Sequence, residues 1–478
     1  MKKNIIIITL IFVFLTTIIL TRQYPEKVTL IINGEEIMLS EKDENNTIDL
    51  LTFNSINNTS VKVKANGKID IMINDKKVYK YINNNLGKID ISDNNSLEIL
   101  VRFKNSKNLK KYTINTLPSS FLNYTITGEG DNFDGDYYMT TYTADNASSY
   151  IFALNSQGEV IYYKQVPGFC SQFRRETSKK GEKRYVYTAQ DISDNSTIDF
   201  DNIYGKLVVM NENFEEIDEV TYISDDPNDK TYTIFEYIDD DHYFATSSNK
   251  QIVNNVPGYD KVMLTQNNFQ EIKNGKVIFE WRSEDYPELY EYIKNIQELS
   301  KEETNDYLHF NSIKVDPNDN NILVSFRSIS SIIKIDRETG EIIWSLGGKK
   351  DDFNMTEKQK FAYQHSIYFN SDGSMMIFDN GDNRINLGIK NESKIVKIKL
   401  NESEEKIEEY KAYPLPNVYS MAMGSVQTID LKNNIFLVSY GTGIFKQGPV
   451  AMIDFNNNKT LFLFDLESNK MMFSVEKE

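Results

Sequence analysis

The stretch Ile332–Trp344, IIKIDRETGEIIW, reads as an apolar strand, a polar turn at Arg337–Gly340 and a second apolar strand closed by a tryptophan. Alternating apolar side chains on both arms and glycine at the end of the turn are the signature of an antiparallel hairpin. The same pattern recurs at Ser149–Leu154 with Glu159–Tyr163, Lys206–Met210 with Glu215–Tyr222, and Lys261–Leu264 with Lys276–Trp281. It returns again after Lys394–Leu400, with a turn at Asn401–Glu404, and after Val450–Phe455, with a turn at Asn456–Asn458. The turns lie roughly 55 to 65 residues apart, a period that suits one four-stranded blade.

A second hairpin falls between these copies. It is clearest as Ser312–Val315 with Ile322–Ser325, Ser366–Phe369 with Ser374–Phe378, and Ser425–Ile429 with Ile435–Tyr440. A fourth copy is Thr233–Ile238 with His242–Thr246. Two hairpins per period give four strands, and six periods predict an all-β, six-bladed β-propeller over residues 118–478. The insertion Asp285–Tyr307 breaks the pattern with apolar spacing that predicts one or two short helices over one end of the propeller, directly before His309.

Ahead of the repeats, Glu26–Thr116 reads as short alternating strands such as Val28–Ile32, Ser60–Ala65, Ile69–Ile73 and Ser96–Phe103, with a hairpin signal at Asn33-Gly34. This predicts an N-terminal β-sandwich domain over residues 24–117, with a boundary at Leu117-Pro118. Residues 1–23 carry Lys2 and Lys3 and then an apolar run from Ile5 to Leu20. With no small-residue cleavage site after it, the run reads as a membrane anchor or signal segment, preferably an uncleaved anchor that keeps its lysines cytoplasmic and the rest of the chain extracytoplasmic.

The 478 residues carry a formal net charge of −17. So acidic a surface repels nucleic acid and anionic lipid, and an anionic substrate would need a locally basic site. The one cysteine, Cys170, excludes an internal disulfide and reads as a small buried residue. The acidic runs Asp131–Asp136, Asp191–Asp201 and Asp225–Asp229 lack calcium-loop spacing and read as solvated turns.

Chemistry is easier to look for because the chain has only three histidines. His309 and His365 each stand just ahead of the first strand of successive blades, at places that read as equivalent. First strands line a propeller's central channel, so the two rings should converge at one mouth. His242 follows a turn away from that position and reads as a surface or blade-edge residue. The convergent pair could ligate a metal, act in acid–base or nucleophilic chemistry, or be satisfied polar residues at blade ends. Arg327 emerges from the apolar run Ile322–Phe326, where a guanidinium suits an oxyanion or a surface ion pair; Arg384, after Phe378–Gly381, reads the same way.

The stretch His309-Phe310-Asn311-Ser312-Ile313, leading to Ser325-Phe326-Arg327 and on through Ile335-Asp336 and Thr339–Trp344 to Leu346-Gly347-Gly348, resembles the bacterial arylsulfate sulfotransferases. Gln364-His365-Ser366 and Phe378-Asp379-Asn380-Gly381 add to the resemblance, with weaker echoes at Asp134–Tyr138, Gly275–Trp281 and Ser420–Gln427. It implies a six-bladed propeller after an N-terminal β-domain, moving a sulfuryl group from an aryl sulfate to a phenol without a nucleotide donor or other cofactor. It further implies His365 as nucleophile through a sulfohistidine, with His309 and Arg327 on the sulfuryl oxygens, Asn311 assisting, and rim Tyr and Phe rings stacking the substrates. A homodimer through the sandwich is a possible assembly.

The sequence departs from the family's pattern at one place. The family has a further active-site histidine on an earlier blade, and the matching segment here, Asp229–Phe235, holds none; Tyr232 is the candidate replacement. Two other readings follow from that gap and from fold alone: an impaired propeller kept as an extracytoplasmic binding protein, and a metal-dependent hydrolase needing carboxylate ligands in the channel.

Overall fold

A computed structural model describes residues 121–128, 135–142, 148–156, 158–191, 204–293, 296–381, 391–415, 418–442, 449–466 and 471–478, together with the strands of the first 117 residues. By internal contacts the chain divides into Met1–Leu122 and Asn123–Glu478. The expected anchor over residues 1–23, Arg384, and the acidic residues 131–134 and 192–201 lie outside the described residues. No described helix is long and apolar enough to cross a membrane.

The first unit holds two sheets. One is antiparallel, in the order Glu35–Leu39, Val28–Ile32, Thr59–Ala65, Asn85–Ile89. In its first hairpin Ile32 pairs with Glu35, the register that a two-residue connection predicts. The other runs Thr47–Asn54, Leu109–Leu117, Ser96–Phe103, Gly67–Ile73, Lys76–Lys77, and its first two strands are parallel.

The second unit is the six-bladed propeller. Blade two runs outward from Phe173–Thr177 through Lys183–Asp191 and Tyr204–Met210 to Glu216–Val220, and blade three from Lys230–Asp239 through His242–Val253 and Val262–Lys273 to Lys276–Arg282. Blade four is Phe310–Val315, Ile322–Phe326, Ser331–Ile335, Ile342–Gly347; blade five is His365–Phe369, Met375–Asp379, Lys394–Asn401, Lys406–Pro414. The ring is closed from both chain ends. Met471–Lys477 is the innermost strand of blade one, inside Tyr137–Tyr142, Ser148–Leu154 and Val160–Pro167. Tyr124–Gly128 adds a fifth, outermost strand to blade six, which is otherwise Ser425–Asp430, Ile435–Ser439, Val450–Asp454 and Lys459–Leu466. The hairpin quoted at the outset is the outer half of blade four, and its five repeats fall on the outer halves of the others.

Cores form where blade faces meet, because each sheet alternates side chains between its two neighbours. Between blades three and four, Trp281 stacks on Phe269 at 5.4 Å, beside Phe244, Phe310 and Phe326. Between blades four and five, Trp344, Leu346, Ile367 and Ile377 play that part. Lys334, 1 % exposed, bridges Asp316 at 2.9 Å and Asp319 and Glu402 at 2.7 Å, so a buried cation is paired rather than stranded.

Three readings of the sequence are corrected. The insertion before His309 forms three short 3-10 segments, Ser283–Asp285, Pro287–Tyr292 and Ile296–Glu298, not α-helix, because its apolar side chains Leu289, Tyr290 and Ile293 are drawn piecemeal into the core of blades three and four. His242 is at a strand start but buried, 7 % exposed, its Nε2 2.5 Å from Glu271, whose other partner is Arg337. Burial there is eased because Glu271 bonds both His242 Nε2 and Arg337, although among the described residues His242 Nδ1 has no partner. Asp229 is no solvated turn residue: its side chain is fully buried and accepts paired bonds from Arg282 at 3.0 Å. Cys170 is buried as expected, and burial pushes its thiol up to about 12, so it is inert.

Candidate active site

The innermost strands of all six blades surround a cavity of about 110 Å³ on the propeller axis. Its wall takes Gln172 from blade two, Phe235 from three, Asn311 from four, His365 from five, Gly424 from the entry to six and Phe473 from one. Deeper in, Glu236 accepts from Lys314 at 2.8 Å and from Arg174 at 3.0 Å, with Glu476 alongside. That end of the channel is therefore lined by charges, Glu236 paired with Lys314 and Arg174 and Glu476 buried near both cations, and the chemistry-bearing groups gather at the other.

His365 opens its strand there. Its Nδ1 lies 2.9 Å from the Gly424 carbonyl oxygen, which can only accept, so Nδ1 carries the proton and Nε2 keeps its lone pair. Phe473 packs edge-to-face on the ring at 5.5 Å. The imidazole is lowered to about 4, chiefly by burial; the bond to Gly424 opposes this, and the nearby His309 and Arg327 act with burial. The ring is therefore neutral at pH 7.

The pairing of strands alters one detail of the sequence reading. Val315 and Phe369 occupy the same place in their blades, opposite Ile322 and Met375; residue count from there sets Asn311, not His309, level with His365, while the ladder pairs His365 with Phe378 in the place where Ser312 meets Ser325. His309 stands two residues further toward the mouth. A one-residue bulge occurs in both strands, at Asn311 and at Ser366, and it is this bulge that re-aims the side chains around the opening. His309, Ser366, Tyr363 and Met423 all hold φ between +51° and +63°, a concentration of left-handed backbone at the mouth.

Arg327 lies over the Tyr363 ring at 4.5 Å and donates from Nη2 to the Met421 carbonyl at 3.1 Å, while its own N–H bonds the His309 carbonyl at 3.0 Å. Asn311 is buried; its Nδ2 donates to the Gln364 carbonyl at 2.7 Å, and among the described residues its Oδ1 has no partner. Tyr232 is close enough for its phenol to feel both Asp306 and Arg327: burial pushes it up, Asp306 adds to that and Arg327 opposes. It stays protonated near neutrality and can donate a hydrogen bond. Thus His365, Asn311, His309, Arg327 and Tyr232 do come together, whereas His242 stands apart in its ion cluster. Among the described residues no three His, Cys, Asp or Glu side chains gather in a metal-ligating group.

Sequence reasoning missed Asp306, Tyr363, Gly424 and Phe473. Asp306 and Tyr363 stand three and two residues ahead of His309 and His365, but nearness in sequence does not tell where a side chain turns; Gly424 and Phe473 reach the site from other blades.

The family model for arylsulfotransferase (ASST) matches residues 123–474, and the chain belongs to that family. The enzyme class at family level is therefore sulfotransferase. No curated protein matches the chain. Among solved structures it is similar to a protein of unknown function from Bacteroides caccae, with TM-score 0.41 and 11% identity over 72% of this chain and 98% of that one. It is also similar to a streptogramin B lyase, with TM-score 0.36 and 14% identity over 72% and 88%. A periplasmic gluconolactonase from Pseudomonas aeruginosa gives TM-score 0.35 and 9% identity over 69% and 81%.

Proposed function

We propose that this chain moves a sulfuryl group from an aryl sulfate to a phenolic acceptor through a sulfohistidine at His365. The observation that carries the reading is the His365 ring itself, fixed by Nδ1 on Gly424 and neutral, so that Nε2 offers an aligned lone pair beside a guanidinium. Nε2 attacks sulfur, an N–S bond forms and the S–O bond to the aryl group breaks; the aryl oxygen leaves and takes up a proton. The acceptor phenol then loses its proton, its oxygen attacks the same sulfur, and the N–S bond breaks. Arg327 and His309 supply the positive field for the sulfuryl oxygens in a chain whose net charge is −17. Tyr232 donates a hydrogen bond where the family's further histidine is missing.

The apolar run Ile5–Leu20 after Lys2 and Lys3 supports membrane anchoring and an extracytoplasmic propeller, and the two sheets of the first unit suit a sandwich. One observation favours a second reading, a propeller retained for binding: Asp229–Phe235 contains no histidine.

The test incubates the full chain with 4-nitrophenyl sulfate and phenol. Acceptor-dependent nitrophenolate release, a sulfuryl adduct on the peptide holding His365, and loss of both in His365→Ala are expected. Absence of release and adduct across a panel of aryl sulfates would discard transfer in favour of binding.

A further inference from the structure

Asp306 has no part in the transfer as written above, yet its Oδ2 lies 2.5 Å from His309 Nδ1. The contact is built, not incidental. On one side of Asp306, Asn305 donates from its backbone N–H to Met263 O at 2.9 Å and accepts on Oδ1 from Ser300 N–H at 2.8 Å. On the other, Tyr307 and Leu308 are buried, and the Tyr307 hydroxyl donates to Gln266 Oε1 at 3.1 Å. The backbone on both sides of Asp306 is thus fixed at the end of the insertion, the His309 backbone is left-handed at φ 57°, and the pair itself is part-exposed, with the Asp306 side chain 45 % and the His309 side chain 34 % accessible.

We propose that Asp306 is a positioning residue for the transfer: by holding His309 at Nδ1 it fixes the tautomer and presents only Nε2 to the substrates. This rests on the sulfuryl-transfer reading. In the neutral ring, Nδ1–H donates to the carboxylate and Nε2 has a free lone pair, which takes the proton of the acceptor phenol as its oxygen attacks sulfur. In the protonated ring, Nε2–H returns that proton to the oxygen of the next departing aryl group as its S–O bond breaks. One proton enters and one leaves per cycle, and Asp306 balances the charge of the ring in between. This supplies a proton carrier to a site in which Tyr232 is held protonated and His365 is committed to sulfur. The charged and titratable groups around the pair are Tyr232 from blade three, Arg327 from blade four and His365 from blade five. Burial raises the Asp306 carboxyl, but the His309 charge and hydrogen bond, with Arg327, bring it below the ordinary carboxylate range, so the carboxylate is charged wherever the ring would need it.

The experiment compares the full chain with Asp306→Ala, using 4-nitrophenyl sulfate and phenyl sulfate as donors. Nitrophenolate leaves without help and phenolate does not. Loss of a positioned proton donor should slow formation of the sulfohistidine from phenyl sulfate by on the order of 10²-fold, the scale of losing a histidine's orienting partner, and spare the 4-nitrophenyl burst on His365. Equal losses for both donors in this first half-reaction, or none, would overturn the proposal. A second readout needs no turnover: with three histidines, ¹⁵N-histidine NMR should find His309 protonated on Nδ1 in the parent chain, and no longer fixed in that tautomer in Asp306→Ala. A His309 protonated on Nε2 in the parent would refute it. Wild-type chain without transfer but with the Nδ1–H tautomer would count against the sulfuryl reading and leave the pairing intact.

Discussion

His365 is an unusual imidazole because burial, with the electrostatic influence of His309 and Arg327, opposes its protonation, while a single backbone carbonyl favours it. The nucleophile is the neutral ring, so the acid limb of kcat/KM should fall near pH 4 and not near the ordinary imidazole value of about 6.5. The sign is also clear for stability. Between those two values the unfolded chain binds this proton and the folded chain does not, so this group makes stability rise with pH across that window. A pH–rate profile with an acid midpoint near 6.5 would show that the ring is less shielded than its surroundings require. At this scale the sequence is readable where a residue stands in a distinctive local string, as His309, Asn311, Arg327 and His365 do. Asp306 is not readable, because one carboxylate among the chain's 70 acidic residues carries no mark until its neighbour in space is known.

The strand openings carry the site, and they do so through backbone as much as side chains. Gly424, at φ +96°, offers its carbonyl to His365, and a Cβ built on it would meet the Phe378 ring at 2.5 Å. Gly424→Ala should therefore cost about 1–3 kcal/mol in backbone strain alone, lower the unfolding midpoint, and loosen the His365 ring. Thermal unfolding and the nitrophenolate assay together check this; an unchanged midpoint with full activity would mean the entry to blade six can yield without moving the histidine. Element by element, outer hairpins were the legible ones, since their turns are rich in Asn, Gly and Asp. The inner hairpin of blade two was not, because Arg174, Arg175, Glu176, Lys183 and Arg184 interrupt its apolar alternation. Those charges find their partners only in the folded ring: Arg174 with Glu236 of the next blade at the channel, Arg184 with Asp240, and Arg175 and Lys183 with Glu478.

For the whole molecule, closure is the decisive feature. Met471–Lys477 pairs with Tyr137–Tyr142 across the full length of the chain's second unit, and Glu478 accepts from Tyr138 at 3.2 Å. Phe473 on this strand also packs on His365. Removing residues 471–478 should leave blade one with an open inner edge, broaden or abolish cooperative unfolding, promote association through the bared strand, and eliminate turnover. Calorimetry and size-exclusion chromatography would test it; a truncated chain that unfolds as sharply as the parent would mean that the ring does not depend on this clasp.

By itself the sequence determined the blade count, the all-β class and the four residues of the motif, because strand alternation, turn chemistry and a contiguous motif are local properties repeated along the chain. It also carried the resemblance that the family match bears out. The tertiary structure alone decided which strand completes blade one, that His309 is not in register with His365, and that Asp306, Tyr363, Gly424 and Phe473 belong to the site. Closing a ring brings residues from opposite ends of the chain to one axis, and a one-residue bulge shifts which side chain faces it. Neither leaves a periodic trace in the order of residues.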